Sequence, residues 1–121
     1  MIESILKTVR DGVGLGQDDS CFDNELLIHI NSVFFTLNQI GVGDGVPFVC
    51  RDEEQTWAEF FSTTDELEAI KDYVICKTKM VFDPPSNSYV LDSLKQHIAE
   101  VEWRINEAVD YEKKVSKDVR T

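Results

Sequence analysis

The Asp83-Pro84-Pro85 corner constrains the fold of this chain most, because it separates two long amphipathic stretches. Proline lacks the backbone donor that a helix needs, and it disfavours helical backbone in the residue before it. One helix must therefore end at the corner, and a second can begin at Ser86 or Ser88. The pattern predicts an antiparallel hairpin of two helices, over residues 64–82 and 87–111.

The second helix of this hairpin carries an apolar seam and one large aromatic residue away from it. At about 100° per residue, Trp103 lies roughly 170° from the centre of the seam. Tryptophan and arginine are enriched at binding hot spots, so Trp103, Arg104 and the neighbouring Glu100 are candidates for a partner interface. The alternative is that another segment of the chain covers Trp103. The seam steps by three and four residues through Leu91, Leu94, Ile98, Val101, Ile105 and Ala108.

Helical periodicity also organises the first third of the chain. A short helix is predicted from Ile2 to Val9, and a longer one is predicted to begin at Asp23 and to end at Gly41. Ile28 and Phe35 lie roughly opposite the apolar stripe of that longer helix. They are either sandwiched within the fold or part of a contact with another subunit.

The rest of the chain completes an all-α fold class, a small bundle of about four helices. Residues 43–54 are predicted to form a loop or a short β arm, and the aromatic turn that follows at Trp57 is expected in the core. A single helical domain is predicted over residues 1–111, followed by a flexible polar tail over residues 112–121.

Charge and composition exclude several classes of function. The net charge of −11 leaves no basic surface for gripping phosphates, which disfavours nucleic-acid binding and anionic membranes. No stretch is long and apolar enough to cross a bilayer, and we expect a cytoplasmic chain. Three cysteines without CxxC spacing indicate free thiols and predict neither a disulfide framework nor a zinc site.

The sequence predicts no enzyme, no cofactor and no metal site. His29 and His97 are the only histidines, and both are expected to be structural or on the surface. No serine or cysteine lies in a recognisable nucleophile motif. The acidic group Asp18, Asp19 and Asp23 lacks the calcium-loop pattern with its internal glycine and closing glutamate.

Three short runs carry a resemblance to a known family: Trp57-Ala-Glu-Phe-Phe, Phe82-Asp-Pro-Pro and Glu100-Val-Glu-Trp-Arg. From about Leu26 to Val109 the chain resembles the head–tail connector (adaptor, or head completion) proteins of long-tailed bacteriophages and prophages. The resemblance implies a structural virion protein that forms a ring, expected to be a dodecamer, beneath the portal. The ring would join the DNA-filled head to the tail, and the free chain is expected to be a monomer.

The same resemblance implies partners and a location. The expected partners are other copies of the chain, the portal protein and a tail-side head completion or tail terminator protein, with no membrane. DNA would pass through the ring without specific binding. The expected location is the head–tail junction of the virion, after synthesis in the host cytoplasm.

A role as a ring subunit would give three groups of residues distinct tasks. Ile28, Phe35 and Trp103 would supply the lateral contacts. The acidic loop residues Asp44, Asp52, Glu53 and Glu54 would line the channel and repel DNA. The tail residues Lys113, Lys114 and Lys117 would order on docking to the portal. The alternative function is an acidic DNA mimic or regulatory protein-binding module, whose carboxylates imitate phosphates.

Overall fold

A computed structural model of the chain has five helices within the residues that it describes. The structure describes residues 3–42, 48–60 and 67–119, with side chains described up to residue 111. The helices are α1 (Ile5–Gly12), α2 (Asp23–Ile40), α3 (Trp57–Phe60), α4 (Leu67–Phe82) and α5 (Ser88–Val119). No strand occurs in these ranges, where the only β-type pairing is one bridge between Ser4 and Thr56. The all-α prediction is confirmed.

Helix α4 lies at the centre of the fold, where it packs against α1, α2 and α5. Its buried face consists of Ile70, Tyr73, Val74 and Thr78. Two parts of the chain thus meet on one helix: the N-terminal pair α1 and α2, and the C-terminal α5. The hairpin predicted on either side of the proline corner is present as α4 and α5.

The ends of the first two helices follow from local chemistry. Helix α1 begins later than predicted, because the Ser4 side chain accepts a hydrogen bond from the Lys7 backbone N–H and caps the helix there. Helix α2 ends where predicted, at Gly41. This glycine has a φ of 117°, a left-handed backbone conformation that residues other than glycine rarely adopt.

An aromatic cluster centred on Phe34 of α2 fills one side of the core. The Phe34 ring contacts Phe48, Trp57 and Phe60, with centroid distances of 5.5, 6.4 and 4.4 Å. Trp57 is buried, and its indole N–H donates to the Thr8 hydroxyl at 3.2 Å. The expectation that this aromatic turn belongs to the core is confirmed for Trp57 and Phe60, and Phe61 lies outside the described residues.

Side-chain amides hold residues 48–56 over α2. Asn31 accepts the Cys50 backbone N–H at 2.7 Å and donates to the Cys50 carbonyl at 3.0 Å. Gln55 bonds in the same way to the Val49 carbonyl and the Arg51 N–H. These amides bond four backbone groups of the segment, which forms no strand, so the loop alternative holds for residues 48–54. Residues 43–47 of the predicted loop lie outside the described residues.

Helix α5 confirms the predicted seam and corrects the predicted end. The buried residues of the seam are Ile98, Val101 and Ile105, with Val109 in the place expected for Ala108. The helix continues to Val119, whereas the sequence analysis ended it at residue 111. The physical reason is that no glycine or proline follows Pro85, so nothing in the sequence stops the helix.

The greater length of α5 makes its C-terminal part extend beyond its partner. Asp72 lies opposite His97 and Tyr73 opposite Glu102 in the antiparallel pair. By the same register, the start of α4 at Leu67 lies opposite roughly residues 102–108. Beyond about residue 108, the backbone of α5 therefore projects past the start of α4 as far as Val119.

Candidate functional site

Two separate surfaces expose large apolar side chains. Ile28 and Phe35 on α2 are 68% and 52% exposed, and Trp103 on α5 is 63% exposed. Helices α2 and α5 each pack against α4, and the two groups of exposed apolar residues lie on these two different helices. We call them the α2 face (Ile28 and Phe35) and the α5 face (Trp103, Glu100 and Arg104).

The exposure of these residues decides between alternatives that the sequence left open. A Trp103 side chain that is nearly two thirds exposed is not covered by another segment of the chain, so that alternative is wrong. Ile28 and Phe35 are likewise not sandwiched within the fold. Apolar side chains of this size are costly to leave in water, and clusters of them are typical of interaction surfaces.

Charged residues flank Trp103 on the α5 face. Arg104 donates to the Glu100 carboxylate at 2.6 Å, one helical turn away. Both side chains are more than half exposed, so this pair adds little to the stability of the monomer. The arrangement leaves Trp103 beside an arginine and a carboxylate that are both accessible to a partner.

The structure adds exposed aromatic residues that the sequence analysis did not single out. Tyr89 and Tyr111 of α5 are strongly exposed. Tyr89 precedes Trp103 by fourteen residues, which places it about 40° from Trp103 around the helix. Helical spacing could have identified Tyr89, because it needs only the wheel already used for Trp103. The α5 face is therefore longer than the predicted one.

A buried arginine holds part of the acidic loop. Arg10 is only 2% exposed and donates to Asp23 at 2.5 and 2.9 Å and to Glu53 at 3.1 Å. It also donates to the Gln17 carbonyl at 2.7 Å. Hydrogen bonding to Asp23 raises the pKa of the guanidinium, which stays charged. Glu53, predicted to line a channel, thus has an intramolecular partner.

The other predicted site residues divide between described and undescribed parts of the chain. Asp52 and Glu54 are exposed, and the Asp52 carboxylate accepts the Glu54 N–H at 2.9 Å. Asp44 lies outside the described residues. The helical backbone of α5 includes positions 113, 114 and 117, whose side chains are also outside the described part.

A third group of polar residues lies between α4 and α5. His97 Nε2 is 2.6 Å from Asp72 Oδ2, and the Cys76 thiol donates to Asp72 Oδ1 at 3.2 Å. Burial, and next the bond to Asp72, raises the pKa of the Cys76 thiol to about 12. The sequence pattern does not reveal this group, because Asp72 and Cys76 meet His97 only through the register of the hairpin.

None of the helices in the described ranges is long and apolar enough to span a membrane.

Comparison with known protein families gives a match over most of the chain. The model of a family described as phage connector protein matches residues 5–112, which include every helix from α1 to α4 and most of α5. Neither the curated proteins nor the solved structures include a match to this chain.

Proposed function

Because the chain belongs to the phage connector protein family, we propose that it is a subunit of a ring that joins the portal of a phage head to its tail. The family is structural, with a place in the virion and with other head and tail proteins as partners. The ring, its contact with portal and the absence of catalysis in this chain are the parts that we propose. The observation that supports the formation of a ring is the presence of two separate exposed apolar faces on one subunit.

A closed ring requires each subunit to offer two different surfaces, one to each neighbour. The α2 face and the α5 face meet this requirement, since they lie on different helices and both expose large apolar side chains. In the proposed ring, the Trp103 side chain of one subunit is buried against Ile28 and Phe35 of the next. Glu100 and Arg104 surround that contact as its polar rim.

The test is assembly of the purified chain on portal oligomers, followed by electron microscopy. We expect a ring that shares the symmetry of the portal, and we expect Trp103→Glu to abolish it. Ser86→Glu is the matched control, because it adds the same charge at an exposed position of the proline corner, before the start of α5, without removing an apolar side chain. Assembly of the Trp103→Glu variant as efficient as that of the control would disprove the lateral contact.

The same experiment separates the connector from the acidic DNA mimic. A mimic binds a basic partner tightly as a monomer or dimer and has no reason to assemble on portal. A chain that fails to bind portal, while its folded state is intact by circular dichroism, would contradict the connector function. We expect the wild-type chain to bind.

We further propose that the acidic loop lies toward the channel. Asp52 and Glu54 are its exposed carboxylates, Asp44 belongs to the same loop in the sequence, and Glu53 contributes less because Arg10 binds it. Replacing Asp52 and Glu54 by their amides should increase the affinity of assembled rings for duplex DNA at low salt. Asp11→Asn with Asp83→Asn is the charge-matched control, because both carboxylates are exposed and neither belongs to the loop, the α2 face or the α5 face. Equal affinities in the two double variants would refute this placement.

The third part of the proposal is that the end of α5 contacts the portal. The helical backbone continues past α4, and the sequence there contains Lys113, Lys114 and Lys117. A projecting element can reach a partner above the ring without disturbing the lateral contacts. Replacing the three lysines by glutamate should weaken binding to portal and leave the thermal stability of the free chain unchanged. Undiminished binding would exclude this role.

A further inference from the structure

Three side chains with metal-binding atoms meet between α4 and α5. Asp72 and Cys76 are four residues apart on α4 and therefore share one face of that helix, while His97 reaches them from α5. The carboxylate oxygen, the thiol sulfur and the imidazole nitrogen all lie within 4.8 Å of one another. Asp72 and Cys76 are half-buried and His97 is exposed, so the group is open to ions from solution.

We propose that Asp72, Cys76 and His97 form a zinc-binding site that links α4 to α5. Carboxylate, thiolate and imidazole are the three side-chain ligands that proteins use for zinc, at about 2.0–2.3 Å from the ion. The mixture of one soft sulfur with nitrogen and oxygen suits zinc better than magnesium or calcium, which prefer oxygen alone. A water molecule would occupy the fourth, solvent-facing position.

Zinc binding requires a small rearrangement of the existing contacts. Two ligand atoms on one tetrahedral zinc ion are about 3.3–3.6 Å apart, given the usual bond lengths. His97 Nε2 and Asp72 Oδ2 must therefore separate from 2.6 Å by roughly 0.7 Å, whereas Cys76 Sγ and Asp72 Oδ1, at 3.2 Å, need less. The ligand atoms of the three residues lie within 4.8 Å of one another, so a pair at the wide end of that range must close by roughly 1 Å. Partial exposure gives the Asp72 and His97 side chains room to move by this amount.

The chemistry of binding balances without any further reactant. The S–H bond of Cys76 breaks, its proton goes to the solvent, and the thiolate sulfur bonds to zinc. The contact between His97 and Asp72 is replaced by one bond from each to the ion. In that contact His97 Nε2 carries the proton, because a carboxylate only accepts, so this N–H bond also breaks and its proton goes to the solvent. The imidazole then carries its one remaining proton on Nδ1 and donates the Nε2 lone pair to zinc. Thiol deprotonation opposes binding, and three bonds to the metal offset it.

The electrostatic surroundings favour a cation. Asp72 lies in a cleft that is also lined by Glu3, Asp11 and Glu68, with Lys7 and Lys71 as the basic residues. Lys71 is itself paired with Glu3 and Glu68. The whole chain has a net charge of −11, so divalent cations are attracted at long range as well.

A zinc ion at this position would stabilise the hairpin that carries the α5 face. Helix α5 packs extensively on α4 alone among the helices, and the site lies at the point where Asp72 already contacts His97. An ion that binds only the folded chain raises the free energy of unfolding of that chain. Well above Kd, the increase grows with the logarithm of the ratio of metal concentration to Kd. Zinc would thus fix α5 on α4.

Cobalt(II) is the probe for this site, because a cobalt–thiolate bond gives a charge-transfer band in the near ultraviolet and tetrahedral cobalt absorbs in the visible. We expect one cobalt ion per chain, both signals, and their loss on addition of zinc. Cys76→Ser should abolish the charge-transfer band. The matched control is Cys21→Ser, which removes an exposed thiol elsewhere and should leave the band intact.

A second measurement uses a surface substitution that is safe for folding. His97→Gln changes an exposed side chain and should weaken cobalt and zinc affinity by more than about tenfold. Zinc should raise the melting temperature of the wild-type chain and fail to raise that of His97→Gln. Each of three results would overturn the site. The wild-type chain could lack the charge-transfer band, Cys76→Ser could keep it, or the wild-type chain and His97→Gln could bind the metal with equal affinity.

Discussion

Arg10 shows how much a single residue organises in this small fold. Its guanidinium connects the end of α1 to Asp23, at the start of α2, and to Glu53 in the loop that precedes α3. A buried cation is stable only with such partners, because an uncompensated charge in a protein interior is very costly. Arginine suits the position, since its planar group can bind the Asp23 carboxylate through two parallel hydrogen bonds.

Arg10→Met should therefore destabilise the chain. The change leaves Asp23 and Glu53 without their cation, but both carboxylates are partly exposed and regain some hydration. We expect a loss of about 2–3 kcal/mol in the free energy of unfolding, below the full cost of breaking a buried pair. Urea denaturation measures this loss. Arg10→Lys should lose less stability, since lysine keeps the positive charge. A decrease of less than about 0.5 kcal/mol in Arg10→Met would contradict the stabilising role of Arg10.

Cys50 should make stability depend on pH in the alkaline range. Burial, and next the charge of Asp52, raises the pKa of this thiol from 9.0 to about 11. Between these values the unfolded chain loses the thiol proton while the folded chain keeps it, so the free energy of unfolding falls as pH rises. The slope attributable to Cys50 approaches about 1.4 kcal/mol per pH unit.

Chemical denaturation at a series of pH values from 8 to about 11.5 tests this, with Cys50→Ala as the reference. The difference in stability between wild type and variant should be constant below pH 9 and should shrink above it. A difference that does not change across the range would show that the Cys50 thiol titrates alike in both states.

Sequence patterns predicted the exposure of single residues well where it depends only on the helical period. Ile28, Phe35 and Trp103 were placed away from their apolar stripes, and the structure leaves all three exposed. The pattern could not reveal that Glu53 binds Arg10, because the two residues are 43 positions apart and meet only in the folded chain. The group of Asp72, Cys76 and His97 was missed for the same reason.

At the scale of elements, Gly12 sets how closely α1 approaches α4. An added Cβ at this position would lie 2.5 Å from Cγ2 of the Ile75 side chain, well inside van der Waals contact. The glycine is the last residue of α1, so helix propensity gains little from a substitution there. The close approach therefore decides the outcome.

Gly12→Ala should reduce the free energy of unfolding by about 1–2 kcal/mol, since Ile75 or the helix must shift. Thermal or urea denaturation gives the value. Ile75→Ala removes the clashing atom at its own cost, and the double variant should be more stable than the sum of the single changes predicts, by about 1 kcal/mol. Strict additivity would mean that the two residues do not interact.

The ends of α2 and α4 were easier to predict than the end of α5. The proline corner and the glycine at position 41 stop helices by mechanisms visible in the sequence. Helix α5 continues to Val119 past the end of its apolar seam, where the change to polar residues suggested a tail. Polarity alone does not stop a helix whose residues have good helical propensity.

At the scale of the whole molecule, the two exposed faces determine what kind of assembly the chain can form. An α5 face that binds the α2 face of another copy leaves one of each face unused on the resulting dimer. Such contacts continue until a ring closes, whereas a face that binds its own copy stops at a dimer. The geometry of a connector ring needs the first arrangement.

Mixing two defective variants distinguishes these arrangements. Trp103→Glu keeps the α2 face intact, and Phe35→Glu keeps the α5 face intact. If unlike faces bind, neither variant assembles alone. A mixture of the two variants then gives dimers that contain one copy of each, and nothing larger. A mass tag on one variant identifies the two copies. Chemical cross-linking under conditions where the wild-type chain forms rings counts the subunits.

The outcomes are distinct because each arrangement uses a different pair of surfaces. If the α5 face bound its own copy, Phe35→Glu would form dimers by itself and Trp103→Glu would form none. Rings from the mixture would show that neither face is needed. We expect mixed dimers, because each pair of chains keeps one intact interface. The two outer faces of that pair each carry a glutamate in place of an aromatic side chain. Burying such a carboxylate without a partner charge is costly, so no third chain is added.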